Sequence, residues 1–333
     1  MSDVAGVILF LALTLYAVSA GADFGAGFWD LTAGGAARGR RPRALIDHAL
    51  GPVWEANHVW LIFILVVLWT SFSGAFASIM ETLYVPLTVA AVGIVFRGAG
   101  FAFGKVSETL TEQRLYGASF APSSLITPFF LGAVAGGVAS GRVPTHAGGD
   151  TRTSWVNPTS ILGGVLAVVV CAYLAAVFLV AEANRRGLPG LEAYFRTRAL
   201  AAGLAAGAVA LAGIWVLRAD SPRLFDRLTG VALPLVVVSG LCGLGALAAL
   251  WRGAARAGRP LAVVAVASVV GGWGVAQYPF LLGTHLTLRA AASPDATLDI
   301  VVAVFVIALV TCVPSLLYLY ALDQRGQLDE SAR

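Results

Sequence analysis

Two acidic residues, Asp23 in GADFGAGFWD and Glu55 in GPVWEANHVW, lie in apolar stretches long enough to cross a bilayer. Burying a carboxylate in hydrocarbon costs roughly 2.5 kcal/mol or more on insertion scales, so such a residue usually faces a bundle interior, a partner or a water-filled path. On a helix starting near Trp54, Glu55 and His58 share one face, and Trp54, Asn57 and Leu61 share the adjoining one. An acid, an amide and an imidazole within one turn can hold water and pass protons. The chemistry these residues point to is proton or ion movement, by this chain or in service of a partner. The plainer alternative for Glu55 is that it rims the start of its helix, where negative charge suits the helix dipole.

The rest of the chain fixes the setting. Of 333 residues 58% are hydrophobic and 12% charged, against about 25% charged in an ordinary soluble domain, and the mean hydropathy is +0.83. This is the composition of a polytopic membrane protein. The first apolar run begins at Val4 with no basic segment before it and continues past signal-peptide length, so it is expected to remain as the first span. Apolar runs predict nine spans, at about 5–32, 54–76, 79–101, 121–140, 159–183, 198–217, 229–251, 260–283 and 299–322. Pro86, Pro128, Pro234, Pro279 and Pro314 fall inside them and predict kinks. Cys171, Cys242 and Cys312 match no metal or haem-attachment spacing and read as small core hydrophobes.

Orientation follows from the basic residues. Arg38, Arg40, Arg41, Arg43, Arg97, Lys105, Arg114, Arg185, Arg186, Arg196, Arg198, Arg252, Arg256, Arg259, Arg325 and Arg333 fall on one side of the predicted spans, against Arg142, Arg152, Arg218, Arg223, Arg227 and Arg289 on the other. The positive-inside rule then puts the amino terminus outside and the carboxyl terminus in the cytoplasm. The basic charge is divided among short loops that form no phosphate-tracking surface, so no nucleic-acid partner is expected. With this topology Asp23 lies in the inner half of the first helix, roughly 10 Å along the axis from Asp30. Glu55 opens the second helix from the same side, and Arg97 is an inner-face candidate to pair with one of the two acids. Gly21, Gly25 and Gly27 with Ala20 and Ala26 make a small-residue surface for close helix approach. GGVLAVVV at 163–170 and SVVGGWG at 268–274 read the same way.

GADFGAG in the first span together with GPVWEANHVWL at the start of the second resembles subunit II of cytochrome bd-type quinol oxidases. FRGAGFAF at 96–103 and QYPFLL at 277–282 also look like that family's pattern, and the resemblance covers essentially the whole chain, 1–333, as a single integral membrane domain. It implies an all-α polytopic fold, nine transmembrane helices in two four-helix bundles plus one extra helix. It further implies a place in the bacterial cytoplasmic membrane, packed against a subunit I that carries haem b, haem d and the quinol-oxidising loop. A small single-helix subunit, quinol and membrane lipid complete the expected partners. Asp23 matches the family's first-helix aspartate and Glu55 the acid after the Trp of the second. His58 and Asn57 join them on the implied cytoplasmic proton path, with Trp54, Trp60 and Arg97 in support. Ala20 and Ala102 stand where some members carry further acids, so the path here runs on fewer carboxylates.

The residue supply agrees with haems held elsewhere. Of four histidines and two methionines, His58 and Met80 lie in or at predicted spans, too few axial ligands for three haems. Two other classes compete. A proton-coupled secondary transporter would place acids in both halves of an inverted repeat, and the second half has no copy of the acidic motifs. A purely structural scaffold for a haem subunit leaves the chemistry in the partner and overlaps with the main reading.

Overall fold

The computed structural model describes residues 1–104, 110–146 and 148–324; within its helices the side chains of 36, 50–56, 101, 104, 110–119, 121, 312–313, 316–317 and 319–324 lie outside the description. Backbone N–H and C=O groups in hydrocarbon must be satisfied within their own segment, and the long Ala/Leu/Val runs do this as helices. The first, α1 (Ser2–Leu31), is the hub. It packs against α2 (Ala36–Ser71), α5 (Leu110–Ala139), α6 (Pro158–Arg185), α10 (Ala255–Gln277) and α12 (Asp295–Gln324). Around this centre α4 (Tyr84–Gly104) packs on α5, α7 (Pro189–Asp220) on α6, and α9 (Leu233–Trp251) on α10. Short helices α3 (Ser73–Thr82), α8 (Pro222–Thr229) and α11 (Leu288–Ala291) cover the ends of the long ones.

Among the described residues six helices are long and apolar enough to cross a membrane, and a bent pair raises this to seven. The expectation of nine spans therefore stands beside a smaller number that the described residues meet by length and hydropathy; α4 contributes a shorter apolar stretch, Tyr84–Gly100.

The chain departs from the predicted boundaries in three places. The expected second span, 54–76, is not one rod: the helix ends at Ser71 and resumes at Ser73 at an angle of 119°. The carbonyls of Thr70 and Ser71 are taken up at the break by the hydroxyl and N–H of Ser293, at 2.7 and 2.8 Å. Secondly, the basic segment expected as a loop is the opening of α2, with Gly35 at its N-cap. Ala and Arg are good helix formers, and Leu45 and Ile46 bury on the core side; a hydropathy window passes over such a helix because its other face is charged. Thirdly, the expected eighth span, 260–283, stops at Gln277. Residues beyond it form a two-stranded antiparallel hairpin, β1 (Phe280–Leu282) with β2 (Leu286–Thr287), so the all-α expectation is corrected by one small element. Gly283, with φ +55, makes the reversal that ends the run.

The tightest seam is α1 against α6. A Cβ at Gly25 would fall on the Cys171 carbonyl, and one at Gly21 would come within 2.7 Å of Leu174 Cδ1. Trp29 Nε1 donates to the Ala172 carbonyl at 2.8 Å along the same seam. The small-residue surface of the first span thus sets the interhelical distance. Gly25→Val is expected to force α1 and α6 apart and to destabilise the protein by about 1–3 kcal/mol. A thermal unfolding midpoint in detergent that is unchanged by this substitution would contradict the seam.

Candidate functional site

α1 brings Asp23 to the bundle centre with a carboxylate that is 1% exposed, and α4 brings Arg97 to it, 2% exposed. Arg97 Nη2 donates to Asp23 Oδ1 at 2.6 Å and to the Asp23 backbone carbonyl at 2.7 Å. Asn57 of α2 donates through Nδ2 to Asp23 Oδ2 at 3.2 Å, so both carboxylate oxygens are engaged. On its far side the guanidinium donates through Nη1 to Ser124 Oγ of α5, and that hydroxyl donates to the Phe120 carbonyl at 2.8 Å. Phe24 and Phe120 enclose the cation, with ring centroids 5.0 and 4.3 Å from its central carbon.

This arrangement answers the cost of a buried charge. Isolated, either ion would carry a desolvation penalty of several kcal/mol, and the pair survives because hydrogen bonds occupy most of its remaining capacity. Gly27 leaves the room: a Cβ there would run into Ser124 and come within 2.8 Å of Arg97 Nη1. Not every polar atom is used. Arg97 Nε, Asn57 Oδ1, Tyr16 Oη and Thr127 Oγ1 are buried with no hydrogen-bond partner among the described residues.

The structure joins three of the residues singled out from sequence, Asp23, Asn57 and Arg97, and names Asp23 as the acid that Arg97 meets. Arg97 sits within α4, toward its carboxyl end. His58 is half-buried on α2 and engaged in a contact of its own. Trp60 is half-buried, edge-on to Phe63 at 6.4 Å, beside the cluster of Tyr16, Ala20, Phe24 and Cys171. The side chains of Trp54 and Glu55 lie outside the described residues. Ala20, where some family members carry an acid, is core; Ala102 is exposed. Sequence reading missed Ser124, Phe120 and Thr127. Their signal was present: Phe120, Ser124 and Thr127 recur at i, i+4 and i+7 and so fall on one helix face.

Met80 is exposed on α3, 39% accessible, and His48 and His58 are half-buried on α2, while His146 and His285 are exposed. Among the described residues no group of three or more His, Cys, Asp or Glu is placed to hold a metal ion.

A bundle of apolar helices ordered around an ion pair fixed at its centre defines a class, a polytopic membrane protein with a charged interior. The chain belongs to the cytochrome bd terminal oxidase subunit II family, whose model matches residues 1–322. It is 26% identical over 226 residues to "Cytochrome bd ubiquinol oxidase subunit 2" of Bacillus subtilis (strain 168), covering 67% of this chain and 64% of that one. Against "Cytochrome bd-I ubiquinol oxidase subunit 2" of Escherichia coli (strain K12) the identity is 26% over 212 residues, 61% of this chain and 53% of the relative. The matches thus span less than two thirds of these relatives' length. The structure of bd oxidase from Geobacillus thermodenitrificans is similar with a TM-score of 0.75 at 25% identity, covering 96% of this chain and 98% of that one. The family and the apolar helices make this a multi-pass protein of the bacterial cytoplasmic membrane.

If the pair carries the site, its two halves are not independent. Arg97→Met leaves a buried carboxylate without its cation and is expected to cost about 3–5 kcal/mol, whereas Asp23→Leu in the same molecule should recover most of the loss. A double-mutant cycle on unfolding in detergent reads the coupling; additive single-site losses would dissolve the pair.

Proposed function

We propose that this chain is subunit II of a cytochrome bd-type terminal quinol oxidase, a complex that oxidises quinol and reduces oxygen to water. In this reading it packs against a haem-bearing subunit I, ligates no haem itself, and contributes a proton-uptake path from the cytoplasm. The family match over residues 1–322 supports the complex. The observation that carries the path is the buried Asp23–Asn57–Arg97 set on three helices, beside further buried polar atoms that have no partner among the described residues. Such atoms invite bound water, which can conduct protons. Glu55 and His58 extend the path along α2 toward the basic side, and Trp54 and Trp60 shape its mouth. The helix order and nine-span orientation, amino terminus outside, belong to the same proposal. Haem b and haem d, held by the partner, supply the oxygen chemistry.

The ion pair also favours a second reading. A carboxylate bonded to a buried arginine gives up its place to a proton only if the arginine charge finds another partner, and among the described residues the anion that Arg97 meets is Asp23. On that account Asp23 and Arg97 hold the bundle together as a scaffold, and conduction runs without them.

Glu55→Gln and Asp23→Asn separate the two. The path reading expects turnover, measured as oxygen consumption with coupled proton uptake, to fall on the order of 10²-fold in complexes whose haem absorbance is intact. Wild-type turnover and charge separation in both assembled variants would leave only the scaffold.

A further inference from the structure

At the end of the bundle opposite the basic loops, α5, α7 and α10 finish together around a cavity of about 440 Å³. Its walls come from the turn after α5, from the α7–α8 corner, from the last residues of α10, which include the first residue of the QYPFLL motif, and from the hairpin turn at 283–285. Nothing in the proton-path reading uses this place.

Three observations give the cavity a chemistry. Gln277 ends α10, lines the cavity, is 6% exposed, and makes no side-chain hydrogen bond among the described residues. Its amide atoms open on the cavity and are not sealed inside the protein, so they are placed to meet a group that enters it. Arg223, the second residue of α8, also lines it. Its Nη1 donates to the Gly283 carbonyl and its guanidinium lies over Phe280 at 4.7 Å, but no carboxylate pairs with it among the described residues. Burial first, and the charge of Arg227 one turn on, pull Arg223 below its ordinary range, the condition an anion would relieve. Thirdly, the acid in the wall is already neutralised. Asp220 accepts from Arg142 at 2.7 and 3.0 Å and from the Thr159 hydroxyl and N–H at 2.6 and 3.1 Å. Arg227 is spent on carbonyls of the 275–278 turn. His285 stands exposed at the rim and Thr145 beside it.

We propose that this cavity binds a phosphate group, received by Gln277 and Arg223 with His285 at the mouth. Arginine's planar fork matches phosphate oxygens, and an amide donor adds a directed bond. Because α5, α7 and α10 all terminate here, the cavity lies at the depth of lipid headgroups under the proposed topology, and the phosphate belongs either to a phospholipid or to the solution. The QYPFLL segment then has a task distinct from crossing the membrane: its first residue is a ligand, and the strand it forms leads into the turn at 283–285 that walls the cavity.

The test uses the purified oxidase complex carrying Gln277→Leu or His285→Ala in this chain, with haem absorbance as the check on assembly. Arg223 is left intact because it also holds the hairpin. In one arm inorganic phosphate is titrated against chloride at equal ionic strength and thermal unfolding is followed; in the other, native mass spectrometry counts phosphatidylglycerol retained from mixed micelles. The expected result is saturable stabilisation or lipid retention by the wild-type complex, weakened about tenfold in each variant. Stabilisation by inorganic phosphate assigns the source to solution, and retention of phosphatidylglycerol assigns it to the membrane. Should neither probe distinguish wild type from the variants, the cavity is not a phosphate site. His285→Ala, an exposed change, keeps the test open if Gln277→Leu fails to assemble.

Discussion

The bond between Asp23 and Arg97 is the constraint around which the other helices are arranged. Through its partners it touches α1 by the acid, α2 by Asn57, α4 by the cation and α5 by Ser124. In a medium that solvates charge poorly, the four helices are bound to one geometry, because withdrawing any of them strips a hydrogen bond from a buried ion. Packing and electrostatics are therefore one problem here. The glycines of α1 admit α6 on one side and the arginine head on another, and a larger residue at Gly27 would remove the space in which the pair is satisfied.

The outward surface obeys the opposite rule. Trp215 and Trp251 are 71% and 75% exposed, and α7 and α9 present leucine and valine over much of their length. In water such a surface would associate; in a bilayer, where lipid tails are as apolar as leucine, it needs no cover. The specificity of the fold is consequently concentrated in close contacts between small residues and in the polar centre, not in the amount of apolar area buried.

What was legible in the sequence follows from this division. Apolar runs long enough to span a membrane are read directly because lipid demands them, and Asp23 stands out because its charge is expensive there. Arg97 was visible as a cation at the end of an apolar run, but only the fold shows that its side chain reaches from α4 to Asp23 of α1. Phe120 and Ser124 were hidden because an aromatic ring and a hydroxyl are ordinary in a membrane helix until a cation lies between them. The amphipathic opening of α2 and the hairpin after Gln277 escaped for a different reason: hydropathy measures solvent preference and is blind to a helix with one charged face or to a reversal made of apolar residues. PFLL is as apolar as any span, and a left-handed glycine rather than hydropathy turns it.

The break at Phe72 has a consequence for the order in which the molecule is made. The freed carbonyls of Thr70 and Ser71 are satisfied by Ser293, 223 positions beyond Thr70, and at the same face Asp3 meets Arg289, separated by 286 positions. Neither closure is available while the chain is being inserted from its amino end. The first two helices can pack on each other early, and the last third of the polypeptide then completes the bonds at their outer end.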